Sequence, residues 1–185
     1  MFFHTLFVKL PADSWYTREK NGGMILNTEY TMKQVAERLT ALGLTLSVAE
    51  SCTGGLLSSK ITDVPGASKF YKGGACTYCN EIKHRILGVQ QETLDTYTAV
   101  SEQTAAEMAA GCARVFGTDI AVSVTGYAGP DGGEDGTPVG TIYVGICFRG
   151  DVRVERICEP GGRTLARESA CQQAILMIMT ETEKN

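Results

Sequence analysis

Thr45-Leu46-Ser47-Val48-Ala49-Glu50-Ser51-Cys52-Thr53-Gly54-Gly55 decides the fold. The run starts as an apolar alternation of strand type, stops in a Ser/Cys/Thr cluster and passes through two glycines. Glycines there let the backbone turn sharply and let a ligand come close. A helix is expected next, over residues 54–62, halted by Asp63-Val64-Pro65-Gly66. A strand that ends in hydroxyls and a thiol and turns into a helix delivers those groups to one edge of a sheet. The chemistry is therefore expected around Ser51, Cys52 and Thr53.

The alternation of elements continues on both sides. Upstream, Thr28 or Thr31 can cap a helix reaching residue 41, with Val35, Leu39 and Leu42 on one face and Gly43 as its stop. Downstream, residues 68–71 read as a helical turn and 73–79 as a strand. Residues 80–87 read as a helix capped by Asn80 and stopped by Gly88, and 91–97 as a further short helix. Ser101 can cap a long helix to residue 116, whose Ala105, Met108, Ala109, Cys112, Val115 and Phe116 keep helical spacing. A strand over 120–125 leads into a Gly/Asp-rich loop, 126–138. Strands over 140–148 and 152–158 meet in a hairpin at Arg149-Gly150-Asp151, and a last helix covers 164–180. Helices that alternate with strands, plus one hairpin, give an α/β protein: a three-layer α/β/α sandwich on a mixed, mostly parallel sheet. Residues 28–185 are expected to form this single domain. Residues 1–27 mix aromatics with Pro11, Asp13, Gly22 and Gly23 without a sustained period, and are expected to be a mobile extension outside the core.

Composition excludes several classes. The net charge of −4 gives no basic field for nucleic acid, though local donors can still hold a small anion. The longest apolar run, residues 174–179, is far short of the roughly 20 residues a membrane helix needs. Met1–Leu10 is apolar but lacks a basic lead and a small-residue cleavage site, so no cleaved leader is expected. The seven cysteines are scattered and mostly sit in apolar runs, which fits a reduced, cytoplasmic protein. The close pair Cys76 and Cys79 falls in the strand-like run, where residues three apart face opposite ways, so no redox or zinc role is expected of it.

The only histidines are His4 and His84, which leaves almost no material for a Ser-His-Asp site or a histidine-bound metal. Neither a dinucleotide-binding glycine fingerprint nor a phosphate-binding P-loop is present. No metal and no cofactor are expected. A lysine remains as the activator of a serine, and Lys83 is the best placed. The positive end of the helix that begins near residue 80, together with partial burial, would lower its pKa and supply a neutral amine. His84, its neighbour, points about 100° away on a helix and cannot face the same site. From the residues alone, Ser51 also reads as a helix cap, Cys52 as a rival nucleophile or a packed core thiol, and Lys83 as a solvated surface residue.

The motifs also carry a family resemblance. Glu50-Ser51-Cys52-Thr53-Gly54-Gly55 is followed in order by Thr77-Tyr78-Cys79-Asn80-Glu81-Ile82-Lys83 with Leu87-Gly88-Val89, by Ala99-Val100-Ser101-Glu102, and by Thr125-Gly126-Tyr127-Ala128-Gly129-Pro130-Asp131-Gly132-Gly133 with Pro138-Val139-Gly140-Thr141. Over about residues 30–180 this resembles the C-terminal domain of the CinA (competence/damage-inducible) proteins, and in particular its stand-alone, PncC-like form, the nicotinamide mononucleotide deamidases. The resemblance implies the same α/β/α fold. It also implies metal-free hydrolysis of the carboxamide of nicotinamide mononucleotide to nicotinic acid mononucleotide and ammonia, in pyridine-nucleotide recycling. The implied catalytic residues are Ser51, Lys83 and Tyr78. The implied substrate contacts are Glu50, Thr53, Gly54, Gly55, Thr125, Gly126 and Arg163, with backbone N–H groups of the 53–55 turn on an oxyanion or phosphate. Arg163 near a helix start, where a cation is disfavoured, is expected to face the phosphate. The expected partner is a small nucleotide, with no nucleic acid and no membrane, and the protein is expected to form a homo-oligomer. The chain departs from the family at Tyr127, at Cys79 and in the first 27 residues, and the family includes catalytically silent paralogues that would act only as nucleotide-binding or regulatory modules.

Overall fold

The computed structural model describes residues 30–183 in full and, before them, only the backbone of three strands: β1 (Phe7–Lys9), β2 (Trp15–Arg18) and β3 (Met24–Leu26). These pair antiparallel in sequence order as a sheet of their own, so the first 27 residues do contain regular structure that their sequence pattern does not announce. The expected mobility of the rest of that segment lies outside the described residues.

The strand quoted above, β4 (Leu46–Glu50), is buried at every position. Its odd and even residues go to opposite faces. Leu46 and Val48 join the larger core cluster with α1 (Met32–Leu42), α2 (Leu56–Thr62) and α6 (Arg163–Glu183). Ala49 joins the smaller one, with Met108, Ala109 and Cys112 of α5 (Glu102–Phe116). Two clusters on the two faces of one sheet make the expected three layers.

The sheet runs β5 (Tyr71–Cys76), β4, β6 (Ile120–Gly126), β7 (Thr141–Phe148), β8 (Asp151–Cys158). The pairs β5–β4 and β4–β6 are parallel, whereas the pairs β6–β7 and β7–β8 are antiparallel. The hairpin turn is Arg149-Gly150, both with positive φ (51° and 96°), as a two-residue turn matched to strand twist requires. Thr31 caps α1 in a reciprocal box with Gln34, and Ser101 caps α5 by accepting from the Thr104 N–H.

The clearest departures from the sequence pattern surround Lys83. β5 begins two residues early and ends at Cys76 rather than at residue 79. Among the described residues it is an edge strand with β4 as its only neighbour, and β4 itself ends at Glu50. The ladder closes with the Thr77 N–H on the Glu50 carbonyl (2.8 Å). The residue flanking the next helix, α3 (Asn80–Ile82), is Cys79 rather than Asn80, and no side chain caps it. The helix then widens into a π-helical turn, Lys83–Leu87, that ends at Gly88 in the left-handed conformation. A 3-10 turn (Ala67–Lys69) precedes β5, and α4 (Gln91–Tyr97) follows the π turn. α2 starts at Leu56, two residues later than expected, and α6 extends to Glu183.

Candidate active site at the C-terminal end of strand β4

Glu50 and Ser51 sit where β4 gives out, and successive residues of an extended chain point to opposite faces. Glu50 turns toward α2. Its carboxylate accepts from the N–H groups of Gly55 (2.9 Å), Leu57 (3.1 Å) and Ser58 (2.8 Å) and from the Ser58 hydroxyl (2.6 Å). Those four bonds fill a carboxylate's acceptor sites and satisfy the orphan donors of a helix start. Glu50 is therefore the cap of α2, buried to 1% exposure, with its carboxylate committed to that helix start. Sequence reasoning missed this because the cap lies five residues and more before the amides it holds.

Ser51 turns the other way. Its N–H extends the sheet ladder to the Val124 carbonyl (2.9 Å), which fixes its backbone, and its hydroxyl meets the amine of Lys83 at 3.0 Å. The same amine donates to the Thr77 carbonyl (2.7 Å). Lys83 is 1% exposed, so the surface-lysine reading fails. Burial penalises its ammonium and lowers its pKa to about 8. The ring of His84 faces the Val89 carbonyl (2.7 Å), away from Ser51, as helix geometry requires.

Cys52, the rival nucleophile, is buried, and desolvation raises its thiol to about 11 despite the nearby charges of Lys83, Arg163 and Arg167. It is a neutral thiol at physiological pH and a poor nucleophile. Gly54 and Gly55 both take positive φ (58° and 97°), which is what makes the turn into α2 possible. Their N–H groups are occupied, however: Gly54 donates to the Ser51 carbonyl and Gly55 to Glu50. Within the 53–55 turn, the amide without an acceptor among the described residues is that of Thr53. The Thr53 hydroxyl is likewise buried and unpartnered.

The remaining expected residues divide. Thr125 is fully buried and donates its hydroxyl to the Ala99 carbonyl (2.6 Å), which ties the segment before α5 to the end of β6. Gly126 is required by the sheet, since a Cβ there would lie 2.7 Å from Ile142 Cγ1 and 2.8 Å from the Thr141 carbonyl oxygen. Arg163 opens α6 and donates to the Gly129 carbonyl (3.0 Å). Tyr78 is not brought to the Ser51–Lys83 pair: it is 66% exposed, and its hydroxyl makes no hydrogen bond among the described residues. Tyr78 keeps the register of the exposed β5 positions Lys72, Gly74 and Cys76, one residue past the last ladder bond at Thr77.

Two residues were not anticipated. Thr77 holds Lys83 through its backbone, which no side-chain pattern can announce. Arg167, one helical turn after Arg163, donates to the Thr53 carbonyl (2.6 Å), while its Nε is buried without a partner. Arg163 just before the expected helix, with Arg167 four residues on inside it, was the available signal. Among the described residues, no group of three or more His, Cys, Asp or Glu side chains is placed to hold a metal ion, and no helix is long and apolar enough to cross a membrane.

Comparison with known proteins identifies the family. The profile of the CinA C-terminal domain matches residues 28–182. A CinA-like protein of Kosmotoga olearia is 46% identical over 160 residues, covering 85% of this chain and 39% of that protein. A relative in Clostridium acetobutylicum named as competence-damage inducible is 49% identical over 138 residues, 75% of this chain and 34% of its own length. The chain thus spans about a third of the length of the curated relatives it matches. Among solved structures, a CinA superfamily protein of Klebsiella pneumoniae superposes with a TM-score of 0.81 at 37% identity, covering 83% of this chain and 96% of that one. One from Escherichia coli gives 0.77 at 37%, covering 80% and 87%. The chain belongs to the CinA C-terminal domain family.

Proposed function

We propose that the protein is an amidohydrolase that converts nicotinamide mononucleotide to nicotinic acid mononucleotide and ammonia, with Ser51 as nucleophile and Lys83 as its base. The observation that carries this reading is the 3.0 Å contact between the Lys83 amine and the Ser51 hydroxyl in a buried setting that lowers the lysine to about 8. A neutral amine has two N–H groups and one lone pair. The Thr77 carbonyl can only accept, so it takes an N–H and leaves the lone pair free to face Ser51. Ser51 then attacks the carboxamide carbon as Lys83 takes its proton. The resulting ammonium returns that proton to the departing nitrogen, and water releases the acyl group by the same relay. The unpartnered Thr53 amide is the nearest candidate in the turn for the oxyanion. Arg163 and Arg167, at the positive end of a long helix and both within electrostatic reach of Cys52, suit the substrate's phosphate. The setting is pyridine-nucleotide recycling in a bacterial cytoplasm, with the protein acting as a homo-oligomer.

The test is ammonia release from nicotinamide mononucleotide by purified protein without added metal. Turnover should be lost in Ser51→Ala by on the order of 10⁴-fold or more, as for other serine nucleophiles, while Cys52→Ala keeps it. The reverse pattern would move the nucleophile to the thiol. A second reading, a silent nucleotide-binding module on the same fold, is favoured by the exposure of Tyr78. It predicts mononucleotide binding by calorimetry with no ammonia in any variant.

A further inference from the structure

β5 ends at Cys76, so Cys76 and Cys79 do not share a strand, and both thiols are exposed. They bracket Thr77, whose carbonyl holds the Lys83 amine at 2.7 Å. The pair is also tied to the site on either side. The Cys76 sulfur lies against Gly55, 3.7 Å from where a Cβ would stand. The Cys79 carbonyl accepts the Lys83 N–H (3.1 Å), and its thiol lies within electrostatic reach of the Lys83 amine. We propose that Cys76 and Cys79 form a thiol modification site, oxidised by low-molecular-weight disulfides, and that closing their disulfide pulls the Thr77 carbonyl away from Lys83 and so switches the site off.

The reason is geometric. Cys76 is the last strand residue, Thr77 still makes a ladder bond to Glu50, and Cys79 is extended at φ −108° and ψ 162°. Three fully extended steps span about 10 Å, whereas a disulfide needs Cα atoms about 4.4–6.8 Å apart. From an extended Thr77-Tyr78 step the bond closes only as that step contracts. Contraction costs the bond from the Thr77 N–H to Glu50 and redirects the Thr77 carbonyl. Tyr78, 66% exposed, offers little packing to oppose it.

The chemistry balances with glutathione disulfide as oxidant. The Cys79 thiolate attacks one sulfur and expels a glutathione thiolate. The Cys76 thiolate then attacks the Cys79 sulfur and expels the second. Two electrons pass from the pair to one glutathione disulfide, and the two cysteine protons end on the two glutathione thiols. Cys79 is the first attacker, because burial raises the Cys76 thiol.

The loss of activity rests on the amidase reading, but the structural switch does not, and the experiment separates them. Native protein is incubated with glutathione disulfide, then labelled with an amine-acylating reagent, and both thiol state and Lys83 acylation are mapped by mass spectrometry. The expected result is a Cys76–Cys79 disulfide, severalfold greater labelling of Lys83 than in the reduced protein, and reversal of both by dithiothreitol. Cys79→Ser should keep Lys83 protected under the same treatment and keep the reduced protein's turnover. A pair that stays reduced, or a disulfide that forms while Lys83 remains protected, overturns the inference. Lys83 labelling that follows the disulfide in a protein that never releases ammonia would uphold the switch and defeat the amidase reading.

Discussion

Gly111 of α5 approaches Leu87 so closely that a Cβ at residue 111 would lie 1.9 Å from the Leu87 carbonyl oxygen. That carbonyl also accepts from Arg114 (2.8 Å), so α5 both abuts and caps the π-helical turn that carries Lys83. The helix that holds the base is positioned by a missing side chain. Gly111→Ala must force the two elements apart, at a cost of about 1–3 kcal/mol as for other overpacked sites. A lowered denaturation midpoint at unchanged m-value, together with reduced turnover, is the expected result. Unchanged stability would show that the contact can relax freely.

Lys83 makes stability and activity depend on pH in linked ways. Its folded pKa, about 8, lies below the ordinary 10.5, so between these values the unfolded chain binds the extra proton. Stability from this residue is therefore complete only above about 10.5 and falls as pH drops toward 8, a difference of roughly 3 kcal/mol at about 1.4 kcal/mol per pKa unit. Lys83→Met should accordingly match or exceed the wild type in stability at pH 7, with its advantage shrinking as pH rises to 10. Comparing the two proteins cancels the buried Cys112 and Cys171 thiols, whereas the Cys52 thiol responds to the Lys83 charge itself. Turnover should rise with pH through an ionisation near 8 that Lys83→Met and Lys83→Arg both abolish, since neither offers a neutral amine. A Lys83→Arg variant with most of the wild-type turnover would remove Lys83 as the base.

Glu50 should behave as a structural cap. Glu50→Ala strips three amides and one hydroxyl of their acceptor at once. The expected loss is at least about 2 kcal/mol, above a typical single cap because several buried donors are orphaned together. KM should stay near the wild-type value in whatever fraction remains folded. A raised KM without loss of stability would return Glu50 to the substrate.

What could be read in advance followed the physics of each signal. The Thr45–Gly55 run marks a strand, a turn and a helix because periodicity and paired glycines are local properties, and the structure keeps all three. The Ser51–Lys83 contact joins residues 32 apart, and it is legible through the family motifs rather than through spacing. Tyr78 is expected at the site through the family motif alone, while the strand pattern reads on to residue 79, past the point where β4 can pair. The same extension hid the relation of Cys76 to Cys79. Thr77 was invisible because its part is played by a carbonyl. With its ring 66% exposed, Tyr78→Phe should leave turnover nearly unchanged, and a large loss would mean that Tyr78 folds over the site when substrate is bound.

Arg163 and Arg167 can be told apart by what each already holds. Arg163 is exposed and donates one nitrogen to Gly129, so most of its fork is free for an anion. Arg167 is half-buried and spends one nitrogen on the Thr53 carbonyl, so it positions the turn after Ser51 as well as adding charge. If the pair meets the substrate's phosphate, Arg163→Ala should raise KM for nicotinamide mononucleotide by one to two orders of magnitude, roughly 1.5–3 kcal/mol for a charged hydrogen bond, with little change in kcat. Arg167→Ala should raise KM and also lower kcat, because the Thr53 turn loses its tether. Nicotinamide riboside, which lacks the phosphate, supplies the control. Arg163→Ala should process it no worse than the wild type does, whereas Arg167→Ala should still show the kcat defect. Equal losses on both substrates in Arg163→Ala would mean that this arginine serves the Gly129 loop, and that the phosphate is held elsewhere.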